Sequence, residues 1–137
     1  MKIVREYKWE MGHRLPFHPA ACKNLHGHSY KAVIEVEGTP DEHGIVIDFY
    51  DLDKAMKPLL DKFDHSFIAY DKDTELIDVL EKLNSKMAVV DFQTTAENIC
   101  GYFLQEIKRA GLPGKITGIK CLLFETSDCF VQDEVKF

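Results

Sequence analysis

The sequence predicts a single α+β domain with a mostly antiparallel sheet, and three observations carry that reading. Two alternating segments open the chain, two amphipathic helical segments fill its middle, and two more alternating segments close it. At 137 residues the chain fits one domain and can bury a core without disulfide staples. No internal repeat or linker interrupts residues 1–137.

Residues 2–13 read as the first strand. Ile3, Tyr7, Trp9 and Met11 alternate with Lys2, Glu6, Lys8 and Glu10, and only Val4 and Arg5 break the pattern. Residues 14–25 contain Pro16 and Pro19 and read as a loop. The second strand covers 26–37, with Tyr30, Ala32, Ile34 and Val36 on one face and Lys31, Glu35 and Glu37 on the other. A turn through Gly38, Pro40 and Gly44 follows. Asp48 is placed to cap a helix over about 49–63, where Leu52, Met56, Leu59 and Phe63 recur at helical spacing. Pro58 inside it is expected to weaken or kink it. Residues 70–92 are the least regular, with a short helix suggested over 74–83 and an extended stretch over 87–92. The second long helix starts at Thr94 or Thr95 and stops at Gly111, with Pro113 beyond. Two closing strands, about 116–125 and 129–136, meet at Thr126-Ser127-Asp128.

The formal net charge is −6, and no basic stripe of the kind that binds nucleic acid is present. No apolar run approaches the ~20 residues that span a bilayer. The first ten residues alternate charged and apolar and lack the apolar core of a signal peptide, so a cytoplasmic location is the expectation. Cys22, Cys100, Cys121 and Cys129 form no C-x-x-C and are expected as free thiols.

The strongest chemical signal is His26-Gly27-His28 together with His13. On a strand His26 and His28 project to one side, the side of Tyr30, Ala32, Ile34 and Val36. His13 shares its face with Trp9 and Met11. Paired as a hairpin, the two strands would bring three imidazoles together at one end of the apolar face. Three histidines without a fourth protein ligand suit a catalytic zinc, which keeps one position open. The alternative is three independent histidines, since imidazole also serves core hydrogen bonds and pH switching. His18, His43 and His65 lie outside the set.

The string Cys22-x3-His26-Gly27-His28 resembles the C-x3-H-G-H signature within the 6-pyruvoyl-tetrahydropterin synthase family, most like its carboxytetrahydropterin-forming branch. Other elements follow in order. Met11-Gly12-His13 resembles the first zinc-ligand segment, and Leu60 to Asp64-His65 resembles the L-D-H element. Thr95-Ala96-Glu97 resembles P-T-[AS]-E, and Glu125-Thr126 resembles the late E-T. Gly12 stands where Ala or Ser is common, Thr94 where Pro is usual, and Phe124 where a basic residue often precedes the glutamate.

The resemblance implies a T-fold (tunnelling fold): a four-stranded antiparallel sheet with two long helices on one face. Such sheets associate into barrels, here a homohexamer with active sites at subunit interfaces. It implies Zn2+ on His13, His26 and His28, and 7,8-dihydroneopterin triphosphate as substrate. The product would be 6-carboxy-5,6,7,8-tetrahydropterin, with acetaldehyde and triphosphate released, on the route to queuosine. The rival product is 6-pyruvoyltetrahydropterin, and a rival class is a non-catalytic zinc- or pterin-binding module.

Residue roles follow from the same resemblance. Cys22 would be the general base, and Asp64 with His65 the pair that relays protons with it. Glu125 would anchor the pterin, whose amino group and ring N–H present two parallel donors to one carboxylate. Thr95 and Glu97 would also contact substrate, although Thr94-x-x-Glu97 equally has the form of a helix capping box. Asp64-His65 could likewise be a plain helix terminus. Triphosphate requires cations, with Arg14 and Lys23 among the candidates.

Overall fold

The frame of the computed structural model, which describes residues 1–137, is the hairpin of β1 (Lys2–His13) and β2 (His26–Thr39). Its register runs from Lys2 opposite Glu37 to His13 opposite His26. Tyr7, Trp9, Met11 and His13 are therefore buried on the same face as Tyr30, Ala32, Ile34 and Val36. The intervening loop contains a single 3₁₀ turn at Ala21–Lys23.

Two long helices cover this face. In α1 (Phe49–Phe63), Asp48 caps the start by accepting from the Tyr50 N–H, and Leu52, Met56, Leu59 and Phe63 point inward. α1 runs unbroken through Pro58. The proline lies on the exposed side with Lys54, so the carbonyl it leaves without a donor faces solvent. In α3 (Ala96–Ala110), Ile99, Cys100, Phe103, Leu104 and Ile107 are buried, and Gly111 ends the helix at φ +72°. Phe103 stacks on Trp9 at 5.2 Å and on Phe63 at 5.7 Å, joining the sheet to both helices.

The sheet corrects the four-stranded expectation. It has six strands in the order β4-β3-β1-β2-β5-β6 and is mixed. β5 (Lys115–Phe124) pairs antiparallel with β2, and β6 (Phe130–Lys136) with β5, as expected for the closing hairpin. On the other side, β3 (Ser66–Tyr70) runs parallel to β1, and β4 (Met87–Val90) parallel to β3. Both are too short to show a period, and β3 is apolar on both faces, as buried parallel strands are. Between them α2 (Thr74–Lys82) packs on the opposite face, where Leu76 and Leu80 meet Ala69 and Phe67. Ile68 points the other way, into the main core.

No helix is long and apolar enough to cross a membrane. All four cysteines are free.

Candidate metal and substrate site

The hairpin register places His13 directly opposite His26 and Met11 opposite His28. The three imidazoles converge at the open end of the buried face, with ring centroids 4.6, 4.9 and 5.3 Å apart. One ligand nitrogen from each lies within 4.8 Å of the others.

Backbone carbonyls orient two of the rings. His13 Nδ1 is 2.8 Å from Thr94 O, and His26 Nδ1 is 2.7 Å from Asn24 O. A carbonyl can only accept, so each Nδ1 carries the proton and each Nε2 is left with a lone pair. Outer-sphere carbonyls of this kind orient metal-binding histidines. The buried Nε2 atoms of His13 and His28 have no hydrogen-bond partner. Orphaned nitrogens aimed at a common point are what a metal would satisfy, and the donor set fits zinc.

Glu125 continues the β5 register onto the same face. Its Oε1 is 3.1 Å from His13 Nε2 and 3.2 Å from His28 Nε2. Burial drives the His28 imidazole toward its neutral form. The Tyr30 hydroxyl beneath the cluster is buried and unpartnered, and burial followed by the Glu125 charge raises its pKa.

Two open clefts flank His28. One, of about 490 Å³, is lined by Tyr30, Lys31, Phe124, Glu125 and Thr126, with Lys31 Nζ 4.3 Å from the centre of the Phe124 ring. The other, of about 400 Å³, is lined by Glu10, Gly12, His28, His65 and Phe67.

Asp64 caps the C-terminus of α1, and His65 follows with φ +56°, a left-handed conformation rare outside glycine. Its Nδ1 is 2.9 Å from Asp64 Oδ1, which also accepts from the Glu10 N–H at 3.1 Å. That backbone bond, and secondarily His65, holds the Asp64 carboxyl below its ordinary value. The pair therefore is a helix terminus, and His65 also faces a cleft shared with His28.

Other expected residues lie apart. Cys22 sits in the 3₁₀ turn, lines neither cleft, and its thiol makes no hydrogen bond to Asp64 or His65. Thr95, not Thr94, caps α3 by accepting from the Asn98 N–H, so the Thr94–Glu97 capping box is not formed. Glu97 is exposed in the first turn of α3. Arg14, a triphosphate candidate, is held by Asp73 instead, with Nε and Nη2 donating at 2.8 and 2.6 Å.

Thr94 is the functional residue that sequence reasoning did not identify, since it and Thr95 stood as alternative starts of the helix. It is buried, its carbonyl accepts from His13, and its hydroxyl donates to the Arg14 carbonyl at 3.3 Å. A helix start displaced by one residue was the only signal that could have freed Thr94 for this role.

Comparison with known proteins agrees with the geometry. The sequence profile described as 6-pyruvoyl tetrahydropterin synthase matches residues 2–134. A Haemophilus influenzae protein named 6-carboxy-5,6,7,8-tetrahydropterin synthase is 40% identical over 116 residues, covering 78% of this chain and 82% of its own. An Aquifex aeolicus protein of the same name is 35% identical, covering 92% and 93%. Among solved structures, 6-pyruvoyl tetrahydropterin synthase from Plasmodium vivax superposes with a TM-score of 0.80 at 16% identity, covering 100% of this chain and 98% of its own. That similarity supports the T-fold. The chain belongs to the 6-pyruvoyl tetrahydropterin synthase family.

Proposed function

We propose that this protein is a zinc-dependent 6-carboxy-5,6,7,8-tetrahydropterin synthase. It would convert 7,8-dihydroneopterin triphosphate to 6-carboxytetrahydropterin with release of acetaldehyde and triphosphate, a carbon–carbon lyase reaction. The observation that carries the reading is the convergence of His13, His26 and His28 beside Glu125, in a chain that resembles carboxytetrahydropterin synthases along most of its length.

His13 and His26 would hold the metal through Nε2, the nitrogen left free by their carbonyl partners, with His28 as the third ligand. Bound zinc acts as a Lewis acid that stabilises negative charge developing on substrate oxygen. Glu125 would accept the pterin amino group and ring N–H in the cleft with Phe124 and Tyr30. Cys22 would remove the side-chain proton as thiolate, the reactive form of a cysteine. His65, oriented by Asp64, would carry protons to and from the reacting carbons. Thr95 and Glu97 would add substrate contacts.

Cys22 lines neither cleft, which supports a site completed between subunits. A homohexamer with interfacial active sites would supply that second wall. A cytoplasmic enzyme serving queuosine synthesis is the matching context, with no nucleic acid or membrane as a direct partner.

The test is mass spectrometry of products after zinc-loaded protein is incubated with 7,8-dihydroneopterin triphosphate. Carboxytetrahydropterin with acetaldehyde is the expected result. Pyruvoyltetrahydropterin would move the enzyme to the phosphorus–oxygen lyase branch. No turnover would favour a binding module.

A further inference from the structure

Glu125 Oε1 stands closer to the histidine nitrogens than a second role as pterin anchor requires. It lies 3.1 Å from His13 Nε2 and 3.2 Å from His28 Nε2. Yet neither approach is aligned as a hydrogen bond, and both nitrogens remain without a partner. At His13 the reason is chemical. Nδ1 gives its proton to Thr94 O, so Nε2 turns a lone pair toward a carboxylate oxygen. Two lone pairs 3.1 Å apart in a buried site repel unless a positive centre lies between them.

The spacing identifies that centre. Ligand atoms bound tetrahedrally to zinc at about 2.0–2.1 Å lie roughly 3.3–3.4 Å from one another. The two N–O separations are close to that edge. They are far longer than they would be if the oxygen itself occupied the metal position. Charge points the same way, since three neutral imidazoles leave a divalent cation wholly uncompensated in a half-buried site, and one carboxylate halves its net charge. Glu125 is also only 28% exposed, with its nearest polar partners on the histidines.

We infer that Glu125 is a fourth, displaceable ligand of the metal held by His13, His26 and His28, bound through Oε1 until substrate arrives. The inference rests on the metal site proposed above. A site closed by four protein ligands has no open position, so the Glu125–metal bond must break before a substrate oxygen can bind. The released carboxylate then becomes available to the pterin N–H donors. One side chain would thus guard the metal in the resting protein and read the substrate ring in the loaded one.

Cobalt(II) makes the coordination visible, because its absorption reports ligand number and zinc is spectroscopically silent. Wild type and Glu125→Gln, loaded with cobalt, are compared by visible absorption, and metal affinity is measured by competition with a chromophoric chelator. The expected result is a changed spectrum and at least about 10-fold weaker binding in Glu125→Gln, since loss of outer-sphere partners alone weakens metal sites by about 10–100-fold. Glu125→Asp, which keeps the charge but shortens the reach, should also weaken binding and serves if Glu125→Gln folds poorly. Adding 7,8-dihydroneopterin to cobalt-loaded wild type should change its spectrum as a ligand oxygen replaces Glu125 Oε1. An unchanged spectrum at saturating ligand would show that Glu125 is not displaced. Identical spectra and affinities without ligand would overturn the inference. Lost turnover in Glu125→Gln with unchanged metal binding would leave the pterin anchor standing and remove the fourth ligand. Altered metal binding in a protein that never turns over dihydroneopterin triphosphate would do the reverse.

Discussion

His65→Gly separates a structural from a functional role for the residue that follows α1. His65 holds φ +56°, and a non-glycine residue there costs roughly 1–2 kcal/mol. Its side chain is 77% exposed, and its polar contact is Asp64 Oδ1 at 2.9 Å. An exposed pair of this kind contributes about 0–1 kcal/mol. Asp64 keeps its bond from the Glu10 N–H in the variant, and the His65 N–H to Glu10 O bond of 2.7 Å is a backbone contact that glycine preserves. Glycine also loses more chain entropy on folding, by roughly 0.5–1 kcal/mol. The net change in unfolding free energy therefore stays within about 1 kcal/mol of zero, with turnover lowered by about 10²–10⁴-fold if His65 is a general acid–base. Urea unfolding at pH 7 with chelator present and protomer concentration fixed measures the first, and product formation measures the second. A loss of stability above about 1 kcal/mol with turnover near wild type would refute the reasoning, because His65 would then be a structural cap alone.

Three further outcomes are expected. Cys22→Ala should abolish turnover while metal content stays at wild-type level, checked by elemental analysis beside the product assay; retained turnover would remove Cys22 as the base. Asp73→Asn should cost about 2–3 kcal/mol at pH 7, because it weakens two charge-assisted bonds to Arg14 and the cap of α2. Arg14 holds the Asp73 carboxyl below its ordinary value, so that contribution is present above about pH 4, where the unfolded carboxyl titrates, and is lost as pH falls through the lower folded value. Urea midpoints at pH 7 and pH 3 should show the wild-type advantage at the first and a smaller one at the second. Gly12→Ala places a Cβ 2.6 Å from the Phe67 ring and 3.2 Å from His26 O, and should cost about 1–3 kcal/mol, with Gly12→Ala/Phe67→Leu recovering much of it in thermal unfolding.

The legible parts of the fold were those with a period. The alternation of β1 from Glu6 onward and the helical spacing of α1 and α3 are long enough to reveal which face is buried, and the structure agrees at Trp9, Tyr30, Leu52 and Phe103. β3 and β4, at five and four residues, carry no usable period, and their parallel pairing depends on the crossover through α2. The α3 cap was ambiguous because Thr94 and Thr95 offer the same side chain. Tertiary contact with His13 takes Thr94 and leaves Thr95 to cap. Gly12, where the resemblance led one to expect alanine or serine, was visible as a departure but had no cause until Phe67 appeared beside it. At the site, His13, His26 and His28 were legible as one set because a strand face is a sequence property. The approach of Glu125 was not, since it depends on β5 pairing with β2 across the intervening residues 40–114.

The same register that buries the core also assembles the candidate metal site. His13 and His26 are opposite one another, two residues beyond Met11 and His28, on a face whose next members are Trp9 and Tyr30. A slip of one residue in this pairing would carry the histidines of one strand to the opposite side of the sheet, and would expose Tyr30, Ala32, Ile34 and Val36 with them. The apolar stripe therefore enforces the metal geometry without any contact to metal. Trp9 stacks on Tyr30 at 5.5 Å and on Phe103 at 5.2 Å, so α3 clamps the register just below the site. The start of α3 then supplies the Thr94 carbonyl that orients His13. Core, register and ligand orientation form one chain of causes, and a cavity at Phe103 should reach the histidines through Trp9 without touching them.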